Sequence, residues 1–151
     1  MSDGAGAGVP DARLSGIYQE LILDHYRRPR NKGALDAADA TAERRNPLCG
    51  DEITLALAFD GDRVRDARFT GRGCSISQAS ASMLTQALRG RTRAEAEALL
   101  RRFSAMLHGD AGAAADESLG ELRALSGVAR FPARIRCATL AWSALDEALK
   151  G

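Results

Sequence analysis

Three cysteines and one aspartate are the residues of this chain with the most distinctive chemistry. The cysteines are Cys49, Cys74 and Cys137, and Asp51 follows Cys49 by two residues. That spacing allows both side chains to turn towards one ion in a tight loop. Three thiolates and one carboxylate would complete a tetrahedron, the usual coordination of zinc. The spacing is not a common CxxC pattern and free cysteines are often buried, so a metal site and simple packing both stay open.

The local context of each cysteine favours the metal site. None of the three lies in the middle of a strongly apolar run. Cys49 lies in a turn-forming stretch, Asn46 to Asp51, and Cys137 lies near the start of the last predicted helix. Cys74 follows a strand-like run and opens a helix of small residues. Free amide groups and the positive end of the helix dipole favour a thiolate at such a position.

A predicted hairpin explains how these residues meet. Alternating apolar residues predict a strand from Glu52 to Phe59, and Asp60-Gly61 is a strong turn signal. The return strand is predicted from Arg63 to Thr70, with a bulge near its start. An antiparallel return of equal length would bring Cys74 to the end of the sheet where Cys49 lies.

The remaining elements predict one α+β domain, a small three-stranded antiparallel sheet with helices mainly on one face. Residues 1–12 are expected to be a disordered leader and 13–151 a single domain.

Two histidines are interpreted as non-functional, His25 as buried and structural and His108 as a surface residue at a helix end. The other predicted elements are a helix from Leu14 to before Pro29, an edge strand over 39–45, a helix from Cys74 to near Gly90, a helix capped by Thr92 and Glu95, a loop over 110–116, a short helix capped by Ser118 and ending at Gly127, and a last helix from Pro132.

Composition excludes several classes of protein. The net charge is only +1, and aromatic residues are not interleaved with basic ones, so nucleic-acid binding is not expected. No apolar run reaches the ~18 residues of a membrane span, and the N-terminal residues lack the features of a secretory signal. An odd number of widely spaced cysteines fits a reducing cytoplasm better than a disulfide framework.

The cysteine motifs resemble those of the U-type iron–sulfur cluster assembly family. The matching stretches are Cys49-Gly50-Asp51, Gly71 to Ser80 and the late Cys137. Residues Tyr18 to Gly33 are similar to the opening helix of that family, and the similarity extends from about Leu14 to the C-terminus. The resemblance implies a SufE/IscU-like fold.

Two departures are similar to the SufU branch of this family. Scaffold members of the IscU type carry histidine directly before the third cysteine, where this chain has Arg136. An extra stretch, roughly Arg91 to Val128, separates the second and third cysteine motifs. The branch implies a zinc protein that accepts sulfur from a cysteine desulfurase of the SufS type and that passes it towards downstream cluster scaffold proteins. The missing histidine argues against direct cluster assembly.

The expected chemistry is attack by a thiolate on a persulfide. A thiolate bound to zinc stays deprotonated but is a weak nucleophile, so one ligand is expected to leave when the donor docks. Cys49 is that ligand, since it lies on a Gly/Pro loop, while Asp51, Cys74 and Cys137 keep the metal. Arg134 lies on the same side of the helix as Cys137 and would offset the negative charge, or it is simply solvated.

Three other functions remain as alternatives. A scaffold would assemble an iron–sulfur cluster on the same residues. A structural zinc module would bind metal without responding to a desulfurase. A Cys–His hydrolase ranks last, because neither histidine lies in a cysteine motif.

Overall fold

The computed structural model describes residues 11–47 and 50–150, with side chains from residue 19 onward. Most of the predicted leader, residues 1–10, lies outside this part. Helix α1 starts at Asp11, somewhat before the predicted start at Leu14. The described elements, in chain order, are α1 (Asp11–Arg27), β1 (Ala40–Asn46), β2 (Asp51–Asp60), β3 (Arg63–Arg72), α2 (Ser75–Leu88), α3 (Arg93–Leu107), α4 (Ala111–Ala114), a 3₁₀ segment (Glu117–Arg130) and α5 (Pro132–Lys150).

The three strands form an antiparallel sheet in the order β1-β2-β3. A two-residue turn joins β2 to β3, and its first residue, Gly61, has φ of 63°, which glycine adopts without steric cost. Phe59 pairs with Val64 whereas Ala58 pairs with Asp66, so Arg65 is an extra residue. This is the predicted bulge. The return strand then stays in register to its end, which lies beside the start of β2.

Helices cover one face of the sheet, as the sequence predicted. Both α2 and α5 pack against it, while α1 and α3 form a second layer over α2 and α5. Strand β2 alternates between side chains that enter this core and side chains on the open face, because successive residues point to opposite faces. The largest fully buried side chains are Trp142, Phe69, Phe103, Ile53, Leu55, Leu57, Leu84, Leu88, Met106, Leu107, Leu122 and Leu125.

Both histidines have the structural roles that were predicted. His25 is fully buried, and its ring nitrogens lie 2.8 Å from Ser82 Oγ and 3.0 Å from Glu121 Oε1. It therefore ties α1 to α2 and to the 3₁₀ segment. His108 is exposed at the C-terminal end of α3, where its Nδ1 lies 2.7 Å from the Ser104 carbonyl oxygen.

The extra stretch between the second and third cysteine motifs is more regular than predicted. Its first helix, α3, begins with the expected capping box. The predicted loop over 110–116 contains α4, and the predicted cap at Ser118 was wrong. Asp110 and Asp116 cap α4 and the 3₁₀ segment, since their carboxylates accept amide hydrogen bonds. Phe103 of α3 stacks on Trp142 of α5 at 4.2 Å between ring centres, which fixes the stretch to the helix that carries Cys137.

None of the helices described is long and apolar enough to span a membrane.

Candidate metal centre

The structure brings together three of the predicted ligands. Asp51 is the first residue of β2, Cys74 directly precedes α2, and Cys137 lies in the second turn of α5. One ligand atom from each lies within 4.8 Å of the others. Both cysteines are free thiols. The hairpin produces this arrangement, because Glu52 pairs with Arg72 and the chain then passes Asp51 on its way into α2.

Asp51 has a buried oxygen without a partner. The residue is only 1% exposed, and its Oδ1 accepts a hydrogen bond of 3.0 Å from the Cys74 amide. Its Oδ2 is buried and has no hydrogen-bond partner among the residues the structure describes. A buried carboxylate oxygen left in this way is costly unless a cation lies beside it. The residues present therefore fit a metal ion.

Cys74 is the more acidic of the two thiols. Burial would raise its pKa, but hydrogen bonds from the Ser77 amide, the Cys137 thiol and the Ile76 amide outweigh burial and lower it. The two amides belong to the first turn of α2, whose dipole also favours negative charge. In the metal-free protein Cys74 is therefore the preferred thiolate.

Cys137 behaves in the opposite way. It is 1% exposed, and burial raises its pKa well above the ordinary value of a thiol. Hydrogen bonds of the thiol to Cys74 and Asp51, and the negative charge of both groups, raise it further. Two adjacent negative groups disfavour a third charge in a buried place. A bound divalent cation reverses this preference, since metal binding releases the protons of its thiol ligands.

Arg134 reaches the site from the first turn of α5. The charge of Cys74 and a hydrogen bond to its sulfur raise the pKa of the Arg134 guanidinium, although burial alone would lower it. The predicted cation therefore lies near the Cys74 thiol, although the residue is also exposed to solvent. Arg136 is also exposed.

Cys49 lies outside the described residues, so its place in the ligand set stays a prediction. The structure describes both neighbours of the two-residue gap. The Gly50 amide donates a 2.9 Å hydrogen bond to the Asn46 carbonyl, and Asn46 pairs with Asp51 across the sheet. These contacts fix the ends of the connection that contains Cys49.

The structural role of the Ser80 hydroxyl was not predicted from the sequence. This hydroxyl is fully buried, donates to the Ala138 carbonyl at 2.6 Å and accepts from Trp142 Nε1 at 3.0 Å. These bonds join α2, which starts after Cys74, to α5, which carries Cys137. The Ser- and Ala-rich sequence of α2 indicated only close packing with a neighbour, and nothing in it distinguished this hydroxyl from the other serines.

Gly73→Ala is expected to disrupt the site more than the fold. A Cβ on Gly73 would overlap Asp51 Oδ1 and Ser77 Oγ, so the carboxylate would have to move. Displacing a group that orients a metal ligand lowers metal affinity by about 10–100-fold. Competition with a chelator measures the affinity, and circular dichroism reports the fold.

Gly127→Ala is the matched control for this change, because a Cβ on Gly127 meets nothing within 4 Å and its φ is not positive. It should leave metal affinity unchanged. Equal affinity of the Gly73→Ala and Gly127→Ala proteins would show that the position of the Asp51 carboxylate does not limit metal binding.

The chain belongs to the NifU-like N terminal domain family, which matches residues 17–151. The match includes the hairpin and all three cysteine motifs.

Individual relatives extend over nearly the whole chain. It is 48% identical to the zinc-dependent sulfurtransferase SufU of Bacillus subtilis, over 91% of this chain and 92% of that protein. It is 47% identical to the iron–sulfur cluster assembly scaffold protein IscU of Streptococcus pyogenes, over 92% and 86%. A crystal structure described as a putative cluster assembly scaffold of the SUF system, from Fervidobacterium islandicum, has a TM-score of 0.78 at 35% identity and covers 89% of this chain and 97% of its own.

Proposed function

We propose that this chain is a zinc-dependent acceptor of persulfide sulfur from a cysteine desulfurase, and that it acts in iron–sulfur cluster assembly. The observation that carries the proposal is the cluster of Asp51, Cys74 and Cys137, in which one ligand atom from each lies within 4.8 Å of the others. The buried Asp51 Oδ2, which has no hydrogen-bond partner among the described residues, adds to it. The resemblance to a SufU protein named as a zinc-dependent sulfurtransferase supports it. The donor would be a desulfurase of the SufS type, and the reaction would take place in the reducing cytoplasm.

Zinc would be held by Asp51, Cys74 and Cys137 together with Cys49. Three soft thiolates select zinc over magnesium or calcium, and the absence of a histidine from the cysteine motifs leaves thiolate as the main donor. When bound, zinc keeps these thiols deprotonated at neutral pH. Zinc would change the protonation of Cys137 most, because the pKa of this buried thiol is raised.

Cys49 would be the residue that accepts sulfur. Its thiolate attacks the outer sulfur of the desulfurase persulfide, and the S–S bond of the donor breaks. The electron pair of that bond leaves on the donor cysteine as a thiolate, and Cys49 carries a new persulfide, so no external oxidant or reductant is needed. Arg134, which already faces the Cys74 sulfur, would stabilise the negative charge that gathers during transfer.

Metal content gives the most direct test of this proposal. Protein purified without added metal should contain one zinc per chain and little iron, because thiolate and carboxylate donors in a four-coordinate set favour zinc. Elemental analysis measures both metals, and inorganic sulfide is assayed in the same sample. Substantial iron with sulfide and little zinc would instead identify a cluster scaffold.

The scaffold function is the second candidate, because the Streptococcus pyogenes relative is named a scaffold protein at nearly the same identity. Arg136 in place of the histidine of IscU-type proteins argues against it. A scaffold would develop a visible charge-transfer spectrum on reconstitution with iron and sulfide. A purely structural zinc module would keep its zinc and leave the rate of the desulfurase unchanged.

A further inference from the structure

Phe131 is an exposed aromatic residue close to the candidate metal centre. Its side chain is 60% exposed, whereas the other three phenylalanines are buried or half-buried. Its backbone is nevertheless fixed. Its amide donates 2.9 Å to the Val128 carbonyl, and its carbonyl accepts 2.7 Å from the Arg134 amide. A single exposed aromatic residue is common on protein surfaces, so its significance depends on the residues around it.

Phe131 lies close in sequence to two residues of the candidate metal centre. It directly precedes α5, and Cys137 follows six residues later, about 9 Å further along the helix at ~1.5 Å per residue. Arg134, which contacts the Cys74 sulfur, lies between the two. Any protein that brings a persulfide to bonding distance of this site must also cover its immediate surroundings.

The charges around Phe131 identify the chemistry of that protein. Arg130, Arg134 and Arg136 lie close together in sequence at the start of α5, and the first turn of that helix has no acidic residue. The helix dipole disfavours cations at this end, so the cluster costs stability in the isolated chain. Arg134 is offset by the thiols, but Arg136 forms no ion pair with any residue that the structure describes. A partner surface with carboxylates would compensate this charge.

We infer that Phe131 is the anchor of the docking surface for the sulfur donor, and that Arg136 is part of its charged rim. The partner presents an apolar pocket for the Phe131 ring, and carboxylates at the edge of that pocket face Arg136. This inference rests on the proposed function, and it adds the surface by which the desulfurase is recognised. Aromatic side chains that enter a pocket commonly supply a large share of binding energy, while rim charges act mainly on encounter rate and salt dependence.

The test compares matched variants of the zinc-loaded full chain against a SufS-type desulfurase from the same organism. Phe131→Ala is paired with Tyr26→Ala, which removes the other large exposed aromatic of the described residues, 45% exposed on α1. Arg136→Glu is paired with Arg65→Glu, at the bulge near the opposite end of the sheet. Calorimetry measures binding of each variant, desulfurase activity is titrated with each, and zinc content is determined before use.

Phe131→Ala should weaken binding and raise the half-saturating concentration about tenfold or more, with zinc content and the rate at saturation retained. Arg136→Glu should have a smaller effect that decreases as salt is added. Unchanged titration of Phe131→Ala, or equal losses in Phe131→Ala and Tyr26→Ala, would overturn the inference while the wild type still acquires sulfur. A wild type that binds the desulfurase without acquiring sulfur would instead overturn the proposed function.

Discussion

Cys49→Ser is expected to abolish sulfur transfer to this chain even in protein that still contains zinc. Persulfide transfer needs a thiolate nucleophile, and a serine hydroxyl with a pKa far above neutral cannot replace it. Stimulation of the desulfurase should be lost at every concentration of the variant. This complete loss differs from the shifted half-saturation expected for a docking defect.

Mass spectrometry of the wild type locates the acceptor. After incubation with desulfurase and free cysteine, peptide mapping should find the added sulfur on Cys49. The comparison variants are Cys74→Ser and Cys137→Ser, which should act chiefly through loss of the metal. Sulfur found mainly on Cys74 or Cys137, with Cys49 unmodified, would refute the assignment and leave the metal site intact.

Asp51→Asn is expected to weaken metal retention at least about tenfold with little change in fold. The amide has nearly the shape of the carboxylate, and its oxygen can still accept the 3.0 Å hydrogen bond from the Cys74 amide. It lacks the negative charge that makes the buried Oδ2 a ligand for a cation. The rate of zinc release to a coloured chelator measures the effect, and sulfur transfer should fall with zinc content.

Glu52→Gln is the matched control, since Glu52 is the next residue along β2 and points to the other face of the sheet. There it pairs with Arg72 at 3.1 Å in an exposed contact that contributes little stability. Its zinc release should equal that of the wild type. Equal release from the Asp51→Asn protein would remove Asp51 from the ligand set.

The part of the site that could be predicted depends on signals close in sequence. Alternating apolar residues, a Gly-containing turn and two nearly equal strands define the hairpin, and the hairpin alone places Cys74 beside Asp51. The bulge at Arg65 was also readable, because the parity of buried positions changes within β3. The helix start at Cys74 and the capping box at Thr92 are local in the same sense.

What could not be predicted depends on partners far apart in the chain. The Ser80 hydroxyl joins two helices across 58 residues, and no local pattern distinguishes it from its neighbours. The caps at Asp110 and Asp116 compete with serine and glycine signals nearby, and Asp116 is also held by Arg102, which donates a 2.7 Å hydrogen bond to it from 14 residues away. The direction of the Arg134 side chain likewise depends on where α2 places the Cys74 sulfur.

The contacts between Phe103, Trp142 and Ser80 have a consequence for the order of folding and metal binding. None of these residues is a candidate metal ligand, yet Ser80 joins α2 to α5 and Phe103 joins α3 to the same helix. If these contacts form during folding, the entropy of arranging Cys74 and Cys137 is lost before a metal ion binds. We therefore expect the chain to stay folded when the proposed zinc is removed, unlike zinc fingers, which unfold without metal.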